Sequence, residues 1–317
     1  MTNITNTQQN ITLMVNKNNN EILRQTLLVI TLLSFAIFIY IMAVMLMIFF
    51  TTSSAREQVR YILFAHMLIT DLIYLLFSLF LFLVSFYPIT FSVSFCYILV
   101  TVSSTSMKVT PYSLAIMSLE RYIAICFPLR HGEFCTLPRT TIAIGVIWAI
   151  GLVPNLADFI VLILTVDSSF FLVQVRCVRT SLRFTEVQKA IKDFVYISTF
   201  SLVGLVIIFT YIRIMVVALK VGSGKASAFK AGKTVMLHAI QLLLCMAAFS
   251  YTIVEIVLKE YASLLPIINF CFFMCLPRFL SPFIYGIKDE LFQKNMKKFV
   301  FCLAYKCDLG QIPRYNR

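Results

Sequence analysis

Apolar and polar positions along this chain do not alternate; they segregate into blocks. Seven long apolar runs, at approximately 26–50, 60–85, 96–122, 140–164, 190–217, 234–257 and 264–287, are separated by shorter polar segments that hold most of the charge. Each run reaches the roughly 20 residues that a helix needs to cross a bilayer. Hydrocarbon offers no water to backbone amides, so each run is predicted to be helical. No set of ten-residue segments alternates apolar and polar as lipid-facing strands do, which argues against a β-barrel, and no internal repeat is evident. The reading is an all-α membrane protein: a polar tail over 1–25, a seven-transmembrane helix bundle over 26–287, and a C-terminal segment over 288–317. The first run is too long for the apolar core of a signal peptide and is expected to remain as a span.

Composition sharpens this picture. Of 317 residues, 60% are hydrophobic and only 13% charged, with a mean hydropathy of +0.90. A water-solvated domain is nearer half apolar. The net charge of +13 would suggest nucleic acid in a soluble protein. Here Arg56, Arg60, Arg130, Arg139, Lys220, Lys230, Lys233, Lys288 and Lys294 fall on one side of the seven spans, as cytoplasmic basic residues do, and no nucleic-acid partner is expected. Arg176, Arg179, Arg183, Lys189 and Lys192 run against that bias, in a loop long enough to weaken the rule. Two sequons at Asn3 and Asn10 precede the first span, which places glycosylation and the N-terminus outside the cell. The C-terminus is then cytoplasmic and the protein multi-pass in the plasma membrane. With that orientation Cys96 and Cys177 alone among the nine cysteines are predicted to meet an oxidising compartment. A disulfide between them is expected, the alternative being two free thiols.

Several segments carry a resemblance. The third span ends in Met117-Ser118-Leu119-Glu120-Arg121-Tyr122-Ile123-Ala124-Ile125-Cys126-Phe127-Pro128-Leu129-Arg130-His131. Asp71 lies in the middle of span two, Trp148 in span four and Tyr211 at the end of span five. Lys230, Ala231, Thr234 and His238 open span six, and Pro277-Arg278-Phe279-Leu280-Ser281-Pro282-Phe283-Ile284-Tyr285-Gly286 ends span seven. Together these resemble the signatures of odorant receptors of the fish type, within the rhodopsin-like G-protein-coupled receptors. The sequence departs from that pattern at Met42 and Ser281, where related receptors carry Asn, at Val235, where many odorant receptors carry Cys, and in a sixth span without its proline. The resemblance implies a small-molecule odorant as ligand and a heterotrimeric G protein of the stimulatory olfactory type as partner, raising cyclic AMP. Arrestin and accessory trafficking proteins are further partner candidates, and no cofactor is implied.

Physical chemistry assigns the residues their expected tasks. A buried guanidinium needs a partner, so Arg121 is expected to pair with Glu120 at rest and to face an opened cavity when active; simple interfacial anchoring is the plainer alternative. The resemblance implies that Tyr122, Tyr211, His238, Pro282 and Tyr285 complete the activation switch, with His238 equally readable as a hydrogen-bonded packing residue. Asp71 lies roughly 16 Å below Arg60, and Arg278 roughly 15 Å from Lys288, at 1.5 Å per residue. Opposite intramembrane charges at matched depth are expected to form an ion pair, with Arg278 standing where many related receptors place sodium. Lys108 lies roughly 18 Å below Cys96. It reads either as an anchor for an anionic ligand or as a cation pairing with or snorkelling towards Asp158 or Glu255. The ligand pocket is expected in the outer half of the bundle, around Ser103, Ser104, Met107, Lys108, Tyr251 and Glu255. Past span seven, Asp289 to Phe299 has the pattern of a short amphipathic helix lying on the membrane surface, and Cys302 and Cys307 are candidate palmitoylation sites.

Other functions fit less well. His66, His131 and His238 are scattered and show no metal-ligand spacing. Neither a phosphate-cradling glycine loop nor a nucleophile elbow is present, so no enzyme is expected. A transporter calls for internal repeats and paired broken helices; Pro111, Pro154 and Pro277 interrupt spans, but no repeat accompanies them. A channel would need rings of pore-lining charge from an oligomer. A chemoreceptor for a non-odorant small molecule is the nearest alternative.

Overall fold

The structure, a computed structural model, describes residues 2–87, 89–177 and 186–220, together with 229, 232, 235–237, 239, 240, 242, 243, 267, 270–276, 278 and 279. In chain order it contains α1 (Thr2–Thr51), α2 (Ser53–Arg56), α3 (Val59–Phe86), β1 (Thr90–Ser92), α4 (Val93–Cys126), α5 (His131–Phe134), α6 (Leu137–Thr165), β2 (Gln174–Arg176) and α7 (Glu186–Lys220). Short 3-10 turns at Pro128–Arg130 and Ser168–Leu172 join α4 to α5 and α6 to β2. A π-helical turn at Phe270–Cys275 lies in the seventh expected span.

Five described stretches are long and apolar enough to cross a membrane: Glu21–Thr51, Val59–Val84, Val93–Cys126, Leu137–Thr165 and Asp193–Val217. They coincide with the first five expected spans to within a few residues. Apolar side chains such as Leu33, Ile37, Ile160, Leu164, Ile197 and Leu205 face outward and exposed. An apolar belt of that extent belongs in lipid rather than water.

Two features differ from the sequence reading. First, α1 begins at Thr2 rather than near residue 26. The tail it absorbs contains neither Pro nor Gly, so no residue in it breaks a helix already nucleated by the span below. Second, Pro111 and Pro154 lie inside α4 and α6 without interrupting either helix. Within a membrane, packing against neighbouring helices makes the backbone bond that a proline removes tolerable. In α4 the hydroxyls of Ser106, Thr110, Ser113 and Ser118 each donate to the carbonyl four residues earlier.

The bundle is organised around α4, which packs on α3, α6 and α7. Of its membrane-crossing stretch 61% is buried, against 28% for α6 and α7, which makes α4 the axis of the described bundle. Its close approach to α6 depends on Gly151: a Cβ there would lie 3.0 Å from Val109 Cγ2 and 3.4 Å from the Thr105 carbonyl oxygen. Aromatic rings tie the seventh span to α1 and α3. Phe38 stacks on Phe279 with centroids 3.8 Å apart, and Phe82 on Phe270 at 4.4 Å.

Candidate functional site

Four sites are strung along α4. At its N-terminal end Cys96 is disulfide-bonded to Cys177, with Cα atoms 5.2 Å apart. The bond fastens a small lid that the sequence pattern does not announce. There β1 and β2 pair antiparallel, Phe91 opposite Val175. Val93 N–H donates to the Val173 carbonyl and the Ser94 hydroxyl to that of Phe171. Beneath the lid Val84, Val93 and the two cysteines form a separate small core.

One to three turns deeper, α4 meets α6 through Asn155. The Lys108 ammonium donates to Asn155 Oδ1 at 3.0 Å, and the Ser104 hydroxyl to the same oxygen at 3.2 Å. The Asn155 amide in turn donates to Thr105 Oγ1 at 2.7 Å, and its backbone carbonyl accepts from the Tyr97 hydroxyl. Asp158, buried, lies one turn further along α6. The sequence offers Lys108 an anionic ligand, Asp158 or Glu255 as partner and does not single out Asn155. An amide three residues before a carboxylate, in an otherwise apolar span, was the available signal, since residues i and i+3 share a helix face. Ser103 and Met107 are buried beside Lys108. Tyr251 and Glu255 lie outside the described residues.

At mid-depth the structure brings Asp71 and Arg278 together, with Arg278 Nε 3.3 Å from Asp71 Oδ1 and side chains 4% and 0% exposed. Thr110 donates to the same carboxylate oxygen at 3.1 Å, and the guanidinium lies over the Tyr74 ring at 4.5 Å. Charge, hydrogen bond and ring together offset the desolvation that such depth imposes. Nearby, Trp148 Nε1 donates to His66 Nε2 at 2.9 Å. That bond leaves Nδ1 to carry the neutral ring's proton, facing the Ser113 hydroxyl at 3.5 Å. A single imidazole thus joins α3, α4 and α6.

At the C-terminal end of α4, Arg121 Nε lies 3.6 Å from Glu120 Oε2, with side chains 15% and 8% exposed. The other carboxylate oxygen, Oε1, lies 3.3 Å from His131 Nε2. Tyr122 sits edge-on to Phe209 of α7 at 5.6 Å and to Phe127 at 5.7 Å. Tyr211 is half-buried on α7. Burial and then the Glu120 carboxylate push the Cys135 thiol up from its ordinary range. The contact between His131 and Glu120 was not foreseen; they are 11 residues apart in sequence, and only the turn after Pro128 folds one back on the other.

His238, Pro282, Tyr285 and the segment Asp289 to Phe299 fall outside the described residues. Asn3 and Asn10 lie on the backbone of α1, their side chains outside the described set.

With this geometry in place, comparison with known proteins is specific. Residues 41–285 match the 7 transmembrane receptor (rhodopsin family). The chain is 31% identical to Odorant receptor 131-2 of Danio rerio over 285 residues, which covers 87% of this chain and 86% of that protein. It is 30% identical to Olfactory receptor 51E1 of Homo sapiens over 59% of this chain and 60% of that one. Olfactory receptor 52A5 of Homo sapiens is 28% identical over 59% of this chain and 62% of that one. The family match extends through the sixth and seventh spans, and the chain therefore belongs to the rhodopsin family of seven-transmembrane receptors, in its odorant-receptor branch, a family of receptors and not of enzymes.

Proposed function

We propose that this chain is a plasma-membrane odorant receptor in which ligand binding on the disulfide side of the bundle activates a stimulatory olfactory-type G protein and raises cyclic AMP. The observation that carries this reading is the separation of two devices along one helix. Cys96, under the lid, and Arg121, paired with Glu120, are 25 residues apart on α4. At 1.5 Å per residue that is roughly 38 Å, about the thickness of a bilayer with its interfaces. One device therefore faces each side of the membrane: the N-terminus, lid and bridge outward, Arg121 and the C-terminus to the cytosol.

Ligand is received beneath the lid. The Ser103 hydroxyl is buried and has no hydrogen-bond partner among the described residues; a polar group on a ligand would satisfy it. Met107 supplies an adaptable apolar wall beside it. Ser104 and Lys108, held by Asn155, form the floor on the α6 side. That engagement favours Lys108 as a fixed part of the α4–α6 seam over a free anchor for an anionic ligand. Tyr251 and Glu255 remain candidate ligand contacts from the sequence.

Signalling uses Glu120, Arg121 and Tyr122 with Tyr211, His238, Pro282 and Tyr285. When the helices spread, Arg121 leaves Glu120 and a partner helix docks by its apolar face. The same cavity admits arrestin, and accessory trafficking proteins complete the proposed partners. The test is a ligand panel on cells expressing the receptor, read by cyclic AMP. The expected result is a dose-dependent rise that disappears in Arg121→Ala at matched surface expression. Ligand-driven solute or ion flux without a cyclic-AMP response would overturn the reading.

A further inference from the structure

Glu120 has two neighbours, and only one of them belongs to the pair described above. Its Oε2 faces Arg121 at 3.6 Å and its Oε1 faces His131 at 3.3 Å. The carboxylate is 8% exposed, whereas the imidazole is 34% exposed and within reach of protons from solution. The contact is built by the chain itself: Phe127 caps α4, Pro128 starts a 3-10 turn with its fixed φ, and that turn delivers His131 to the first position of α5. We propose that His131 is a third member of the Glu120–Arg121 pair, a positioning residue whose protonation frees Arg121. This rests on reading Arg121 as the residue that moves on activation.

The reasoning follows the charge left behind. When Arg121 departs, a buried carboxylate remains. An isolated buried charge is strongly disfavoured, and this penalty holds Arg121 in place at rest. A protonated His131 stays on Oε1 and compensates Glu120 after Arg121 has gone. It also repels Arg121 across the shared carboxylate. A neutral His131 supplies neither effect. Histidine is the side chain that can change charge near neutral pH. The sign is definite: the charge attraction to Glu120 exists only with the imidazole protonated, so raising the pH weakens it. Among the described residues, the titratable and charged groups that contact His131 or lie near it along the chain are Glu120 with its partner Arg121, Arg130 before it, Glu133 on α5, and Cys135 and Arg139 after it. The Arg139 guanidinium donates to the Glu133 carbonyl, which keeps that corner folded beneath Glu120.

The test uses the full-length receptor in lipid nanodiscs, with spin labels on unnatural amino acids at Leu129 and Phe229, both exposed. Interspin distances are measured at about pH 8 and about pH 6, inside the range where histidine side chains in general change charge. The unsubstituted receptor is expected to move towards a longer-distance population at the lower pH. His131→Gln and His131→Asn are expected to keep the short-distance population at both values. His131→Lys is expected to hold the long-distance population at both, and Glu120→Gln to remove the dependence. No shift in the unsubstituted receptor, or a shift that survives His131→Gln, overturns the proposal. Nucleotide exchange on a purified stimulatory G protein, run on the same samples, keeps the two ideas apart. A pH-dependent distance without exchange contradicts the coupling and supports His131; exchange without a pH-dependent distance contradicts His131.

Discussion

Asp71 and Arg278 form the most deeply buried charged pair described, and their energetics set a clear expectation. Neutralising one partner strands the other away from water, a loss of about 3–5 kcal/mol for a buried pair. Arg278→Gln alone is therefore expected to lower the melting temperature of the purified receptor and its surface expression. Asp71→Asn with Arg278→Gln should recover most of both, because no charge is then left alone. A single Arg278→Gln that matches the unsubstituted receptor in both would count against the pair. With a guanidinium 3.3 Å from Asp71, exchanging sodium for potassium is expected to leave ligand potency unchanged. Lys108 and Asn155 are linked in the same way. A hydrogen bond to a charged group contributes about 1.5–3 kcal/mol; Asn155→Ala, which loses three side-chain hydrogen bonds and takes a partner from a buried ammonium, should therefore destabilise more than Lys108→Met, which removes the charge itself. Lys108→Met should keep the ligand profile, whereas Ser103→Ala should alter it for polar ligands. Cys135 offers a check on the corner beside Glu120. Its thiol is pushed up by burial and by Glu120, so its thiolate is scarce at neutral pH. Alkylation followed by mass spectrometry should be slow there, faster at alkaline pH and faster in Glu120→Gln.

Among the elements, α4 and its neighbours show what a sequence displays and what it hides. Span positions are legible because a bilayer demands about 20 apolar residues in a row, and nothing else in the chain supplies them. The Asp71–Arg278 pairing was legible from depth alone, since 1.5 Å per residue turns sequence distance into height. Rotation about the helix axis is a different matter. Whether Lys108 meets Asn155, Asp158 or Glu255 depends on which faces α4 and α6 present, and many rotations suit a helix that is apolar on most sides. The β1–β2 lid was illegible because three-residue strands carry no periodicity of their own. The extension of α1 to Thr2 was hidden by composition: an Asn-rich stretch looks like a loop, yet lacks any residue that stops a helix. Gly151 supplies the sharpest expectation at this scale. A bulky side chain there meets Val109 and the Thr105 backbone, and overpacking of that kind costs about 1–3 kcal/mol. Gly151→Leu should separate α4 from α6, weaken the Asn155 network and lower thermal stability, while Gly145→Leu, with open space around it, should do neither. Equal melting temperatures for the two variants would contradict the packing described.

For the whole molecule, the arrangement amounts to a bundle with one end of α4 fastened by a disulfide and the other held by charge. The Cys96–Cys177 bridge closes a chain segment of 81 residues, and such a crosslink stabilises by about 2–4 kcal/mol. Cys96→Ser or Cys177→Ser should therefore release the lid and lose ligand response, even where protein reaches the surface. At the far end of the same helix Arg121 is held, among the described residues, by a carboxylate shared with His131. The most direct measurement is sidedness. Small epitope tags are inserted after Val173 in the lid, after Leu129 beyond Arg121 and at the C-terminus, and detected on intact and permeabilised cells expressing the full chain. The expected result is that the lid tag is seen on intact cells and the other two only after permeabilisation. Detection of the lid tag and the Leu129 tag from the same side of the membrane would contradict it.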